Sequence, residues 1–163
     1  MKTDFDALAK DIHSRNRNWW VDLKTGKRLR RNKGEMLMLV VTELAEAVEG
    51  IRKNLMDDHL PHRRMEEVEI ADAVIRLLDF AGGFGISLNK AETLISEVER
   101  KYTVIRQSNK AAQILRICGE ICDSNENVLG AWSRGYHIMI ALLMIQSYCR
   151  LNPVYGDGSR IES

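Results

Sequence analysis

The stretch "TELAEAVEGIRKN", Thr42 to Asn54, decides how the chain is read. Leu44, Val48 and Ile51 continue a series begun by Leu37, Val40 and Val41. A recurrence at three and four marks one buried face of a helix. Upstream, "NKGE" has the form of a capping box, with Asn32 as N-cap and Glu35 at the third helical position. The helix is expected to end near Asn54. The same stretch carries Glu43, Glu46 and Glu49 three apart, and no lysine or arginine occurs from Gly34 to Ile51. Glu49 has Lys53 at i+4 and is expected to form an ordinary surface pair. Glu43 and Glu46 have Ala47 and Gly50 at that position. Like charges on neighbouring helical turns cost a few tenths of a kcal/mol each, so this pair asks for a cation from elsewhere.

Outward from this helix the period stays near 3.6 and nothing alternates at two, which predicts an all-α helical bundle. A first helix is expected over about Thr3–Asn16, with Phe5, Leu8, Ala9 and Ile12 on one face. A third runs over about Arg63–Ala81, ended by the glycines of "GGFG" (Gly82 to Gly85). A fourth is expected over about Leu88–Ser108, and two more over Lys110–Cys122 and Ser133–Leu151. Pro61 and Pro153 both fall between periodic segments. The 163 residues suit one domain. Catalytic helices are expected over 1–108, a C-terminal helical hairpin over 109–152 and a frayed tail over 153–163.

Composition excludes several classes. Hydrophobic residues make up 45% and charged residues 29%, and the net charge is +1. No general attraction to nucleic acid or anionic membrane follows from that balance. The longest strongly apolar run, Ile138 to Ile145, is far too short to span a membrane. Asp4, Asp6 and Asp11 near the start do not suit a signal peptide. Cys118, Cys122 and Cys149 form no CxxC motif, and are read as reduced core thiols of a cytoplasmic protein.

Residues three apart on a helix lie about 60° apart around its axis. Glu43 and Glu46 therefore point one way, and Glu69 and Asp72 repeat the spacing on the next helix. A short loop joins the two helices, so an antiparallel hairpin can bring both pairs to one place. Two explanations stand at this level: a solvated polar face, or a metal site. Glu43 borders the apolar stripe, and four converging carboxylates repel unless cations neutralise them. All-oxygen ligands favour Mg²⁺, with Mn²⁺ as substitute, over zinc. A di-iron bundle would need Glu-x-x-His pairs, which are absent here. His59 and His62 flank Pro61 in a loop and read as surface residues. Mg²⁺ held by carboxylates commonly shares itself with substrate phosphates, which suggests phosphoryl or nucleotidyl transfer to water.

"TELAEAVEGIRKN" followed by "EVEIADAVIRLLDFAG" resembles the MazG-like all-α nucleoside triphosphate pyrophosphohydrolases. That family's pattern is E-E-x-x-E, a spacer, then E-x-x-D. Glu43, Glu46, Glu69 and Asp72 fit four positions, and Thr42 replaces the first glutamate. The phage and bacterial branch also resembles this chain around "NRNWW" and "MDDHLPHR". The match covers about Ile12 to Arg106. It implies hydrolysis of a (deoxy)nucleoside triphosphate to the monophosphate and pyrophosphate, in nucleotide-pool control or phage DNA precursor metabolism. The four acids would be the catalytic metal ligands, and dGTP or GTP is the first substrate expected. A dUTP/dCTP-specific enzyme and a non-catalytic nucleotide-binding or oligomerisation module are the alternatives. Homodimers or homotetramers are usual in the family. Its "YNKTR" motif is matched by Tyr102 and Arg106, with Thr103 in place of asparagine.

Further candidates surround the acids. Glu69, Asp72, Arg76 and Asp79 form one polar stripe. Arg76 is expected to pair with Asp72 or Asp79, and Asp79 is the further candidate for orienting substrate. Of the adjacent Trp19 and Trp20, one is expected in the core and the other over a site. Trp20, with Ile12 and Asn16, is the candidate base contact. Lys33 is the residue of the basic loop kept as a triphosphate contact. "DSNENVLGAWSRG" loosely echoes the opening stretch, as a degenerate repeat would. The stripe of Ile138, Leu142, Ile145 and Cys149 reads as core or oligomer interface.

Overall fold

The computed structural model describes residues 3–89, 109–125 and 130–153. Helix α1 spans Phe5–Arg15, and Asp4 caps it by accepting from the Ala7 N–H. A single 3₁₀ turn, Arg17–Trp20, follows. Helix α2 spans Lys33–Lys53; Asn32 caps it by accepting from the Glu35 N–H at 3.2 Å. Its C-terminus closes on Asn54, near the end the sequence led us to expect, and that residue lies in the left-handed region. Helix α3 spans Met65–Phe84, α4 Lys110–Asn125 and α5 Gly130–Leu151. The fold is all-α, and no strand occurs among the described residues. Two isolated bridges, Val21 with Arg28 and Met56 with Arg64, pin loops. No helix among the described residues is long and apolar enough to cross a membrane.

Helices α2 and α3 form an antiparallel hairpin, α1 packs on α3, and α4 and α5 form a second pair lying against α2 and α3. Leu44, Ala47, Ala73, Leu77 and Phe80 are buried in the first pair, and Ile117, Ile121, Ile138 and Ile145 in the second. Ile138, Leu142 and Ile145 are therefore core of this chain, whereas Cys149 at the end of the stripe is exposed. Buried Glu66 joins the two pairs: it accepts from Tyr148 Oη at 2.5 Å and pairs with Lys110 Nζ.

Two expectations need correction. Helix α3 does not end at the first glycines of "GGFG". It runs through Gly82 and Gly83, and Gly85 supplies the left-handed cap at φ 64°. The two earlier glycines serve close packing instead. A Cβ on Gly82 would lie 2.4 Å from the Ala9 carbonyl oxygen, and one on Gly83 2.2 Å from Trp20 Cζ2. The cysteines are free but are not all core: Cys118 is half-buried and Cys122 exposed. The expected fourth helix is described only at Leu88 and Asn89, and its Tyr102 and Arg106 lie outside the described residues. "DSNENVLGAWSRG" straddles the end of α4, residues outside the description and the start of α5.

Candidate metal centre

Two hollows flank the α2–α3 hairpin. The first, of about 670 Å³, is lined by Glu43, Glu46, Glu69 and Asp72 on the helices and by residues 55–60 of the connecting loop. Each helix turns its acids there because the i, i+3 spacing keeps them on one side. The crossing is close at the loop end: a Cβ on Gly50 would meet Met65 Cβ at 2.9 Å. The loop is itself well fixed. Asp57 Oδ1 accepts from the N–H groups of His59 (3.0 Å) and Leu60 (2.6 Å), and Asp57 N–H donates to the Arg63 carbonyl at 2.9 Å.

Glu43, Glu69 and Asp72 bring one carboxylate oxygen each within 4.8 Å of one another. Oxygen ligands lie about 2.0–2.1 Å from Mg²⁺, so opposite ligands of one ion are roughly 4 Å apart. A spread of up to 4.8 Å is slightly wider than that, so the trio could hold a single hard cation after a small inward shift. Glu43 and Glu69 are both only 8% exposed. Glu46 is exposed at the rim of the same hollow. Crowding of like charges shows in the proton affinities. Burial, a hydrogen bond with Glu43, and the charges of Glu46, Glu43 and Asp72 raise Glu69 from 4.5 to about 8. Asp72 is also raised, by burial first and then by Glu43, against the lowering effect of Arg76.

Arg76 does not pair with Asp72 or Asp79. Its Nε donates to Glu43 Oε1 at 2.5 Å, from α3 across to α2. Glu43 therefore has a protein cation after all, contributed by the next helix. Glu46 has no ion-pair partner among the described residues. Glu49 pairs with Lys53 and, at 2.9 Å, with Arg52, as an ordinary surface group. Thr42, which stands where the resembling family has glutamate, turns its hydroxyl to its own helix and donates to the Leu39 carbonyl at 2.7 Å.

The second hollow, of about 470 Å³, is lined by Asn18, Trp19, Val21, Leu23, Leu29, Arg31, Met36, Leu39, Arg76 and Asp79. Here the tryptophan assignment reverses. Trp20 is 4% exposed, whereas Trp19 is 43% exposed. Trp20 is wedged against Gly83, Phe84 and His13, so no base can stack on it. Its Nε1 donates to Asp79 Oδ2 at 2.8 Å, and His13 Nδ1 meets Asp79 Oδ1 at 2.9 Å. Asp79 is 1% exposed with both oxygens engaged, so it anchors α1 and the 3₁₀ turn to α3 and is not available to a ligand. Ile12 is half-buried against the core, away from the linings of both hollows. Asn16 ends α1, and its Nδ2 is buried without a partner among the described residues. The Lys33 ammonium lies 4.9 Å from the centre of the Phe84 ring.

The sequence favoured Trp20 over Trp19 and Lys33 over Arg31, and did not single out Asp57. The signal for Asp57 was the "MDDH" in the loop; for Arg31 and Trp19 no pattern in one chain says which side chain faces the hollow. A further cluster, Glu120 and Asp123 on α4 with His137 on α5, also gathers ligand atoms within 4.8 Å. Its Glu120 is occupied, meeting His137 Nδ1 at 3.0 Å.

Comparison of the chain with protein-family models, with curated proteins and with solved structures finds no match.

Proposed function

We propose that the protein is a Mg²⁺-dependent nucleoside triphosphate pyrophosphohydrolase of the kind its motif resembles, releasing pyrophosphate and a (d)NMP, with dGTP or GTP as first substrate. One observation carries the proposal: three carboxylates from consecutive helices converge within 4.8 Å at the wall of an open hollow. Glu43, Glu69 and Asp72 would hold the cation. When bound, it would supply Lewis acidity to the phosphates and to a water molecule. Glu46, exposed at the rim, is placed to add a ligand or to accept a proton from that water. Trp19 offers an indole face for a base, and Arg31 and Arg76 offer guanidinium groups for an anionic moiety. A cytoplasmic homodimer or homotetramer belongs to the same proposal. The exposed Met38 and Leu39 on α2 are apolar surface such an assembly would cover.

Pyrophosphate and monophosphate release over a panel of ribo- and deoxyribonucleoside triphosphates, with Mg²⁺ and with chelator, tests it. Cleavage should need Mg²⁺, and Glu46→Gln and Asp72→Asn should each lower kcat by at least about 100-fold. Full activity in both variants sinks the proposal. Cleavage confined to pyrimidine nucleotides would select a dUTP/dCTP enzyme, and nucleotide binding without turnover a non-catalytic module.

A further inference from the structure

We propose that Arg76 is a positioning residue that couples the two hollows, because it competes with a divalent cation for Glu43 while it packs on Trp19. The inference rests on the carboxylate trio taking a cation, and it goes beyond that step. Arg76 Nε donates to Glu43 Oε1, and the guanidinium carbon lies 5.4 Å from the centre of the Trp19 ring. One side chain thus touches a member of the trio on one side and the exposed indole of the second hollow on the other. Its two Nη groups have no partner among the described residues.

A divalent ion binding the trio draws on the same Glu43 charge that Arg76 now neutralises. It also places positive charge close to a guanidinium. Guanidinium cannot relieve the repulsion by losing its proton, as an ammonium or imidazole can. The side chain must give ground, and the space beside it is the Trp19 hollow. Cation loading therefore loosens Arg76 from Glu43 and presents its planar donor fork to the hollow, where an anionic group can take it bidentately. The coupling is reciprocal: an anion that holds Arg76 frees Glu43 for the cation.

Calorimetric Mg²⁺ titration of the wild type, Arg76→Gln and Arg76→Lys tests this. Intrinsic fluorescence is followed in parallel, and the wild type minus Trp19→Phe difference isolates Trp19. Arg76→Gln should bind Mg²⁺ roughly two- to fivefold more tightly than the wild type, the size of effect set by one partly exposed ion pair. Arg76→Lys, which keeps the charge, should return to near wild-type affinity. Mg²⁺ should change the Trp19 emission of the wild type and leave that of Arg76→Gln unmoved. Equal or weaker binding in Arg76→Gln, or a silent Trp19 at saturating Mg²⁺ in the wild type, overturns the coupling while the cation site stands. No binding heat in any of the three proteins overturns the cation site and the coupling together.

Discussion

Glu69 shows how a single carboxyl group ties the candidate site to stability. Its ordinary value is 4.5, and in the folded chain it is raised to about 8. The folded state then holds the proton more tightly than the unfolded state. The resulting stabilisation is complete below the ordinary value and is lost as pH rises through about 8. Asp72, raised by burial and by Glu43, acts with the same sign. Cation-free protein, kept so by chelator, should therefore melt at lower temperature at about pH 8.5 than at about pH 5. Glu69→Gln keeps a neutral polar group and should flatten that slope. A slope identical to the wild type would remove Glu69 from the account. The adjacent tryptophans separate at the same scale. Trp19→Ala should weaken nucleotide binding by about 1–3 kcal/mol, the range for a base stacked on an aromatic ring, with little change in urea stability. Trp20→Phe should do the reverse, costing roughly 1.5–3 kcal/mol because buried Asp79 loses a donor. The sequence implied one indole inside and one outside, since two neighbours cannot share a helical face. Choosing between them required knowing that Asp79 and Gly83 lie opposite.

Helices were the legible unit, because their period, caps and breakers all sit in local sequence. Asn32 caps α2 where a capping box was expected, and the helix ends at Asn54, near the expected end. The convergence of Glu43, Glu69 and Asp72 followed from i, i+3 spacing on two helices joined by a short loop. Interhelical register was not legible. Nothing in "DAVIR" says that Arg76 reaches Glu43 on α2 and passes over Asp72 on its own helix. "GGFG" misled for a physical reason: glycine serves both as a left-handed cap and as a point of close approach. The two uses can be told apart by mutation. Gly83→Ala would drive a Cβ into the Trp20 ring and should cost about 1–3 kcal/mol or more. Gly85→Ala meets nothing within 4 Å and carries only left-handed strain, about 1–2 kcal/mol. Urea denaturation ranks the two, and only Gly83→Ala should alter the near-ultraviolet signal of Trp20. A costlier Gly85→Ala would mean that the α3–Trp20 contact is less tight than described.

At the scale of the whole molecule, the two helical pairs share one core, and Glu66 fixes one to the other through Lys110 and Tyr148. A ligand that binds only the folded α2–α3 hairpin should therefore stabilise the entire bundle. At free Mg²⁺ about 100 times its dissociation constant, linkage gives roughly 2.7 kcal/mol. For a chain of this length that is a rise of roughly 5–11 °C in Tm. The rise should be larger at about pH 8.5 than at about pH 6, because at the lower pH the ion must displace the proton held by Glu69. Sodium chloride at matched ionic strength controls for general screening of the acidic hollow. Asp72→Asn removes one of the three converging oxygens and should abolish most of the Mg²⁺-dependent rise. If the rise survives in that variant, or if sodium reproduces it, the carboxylates are a screened polar face, and the cation belongs elsewhere on the molecule.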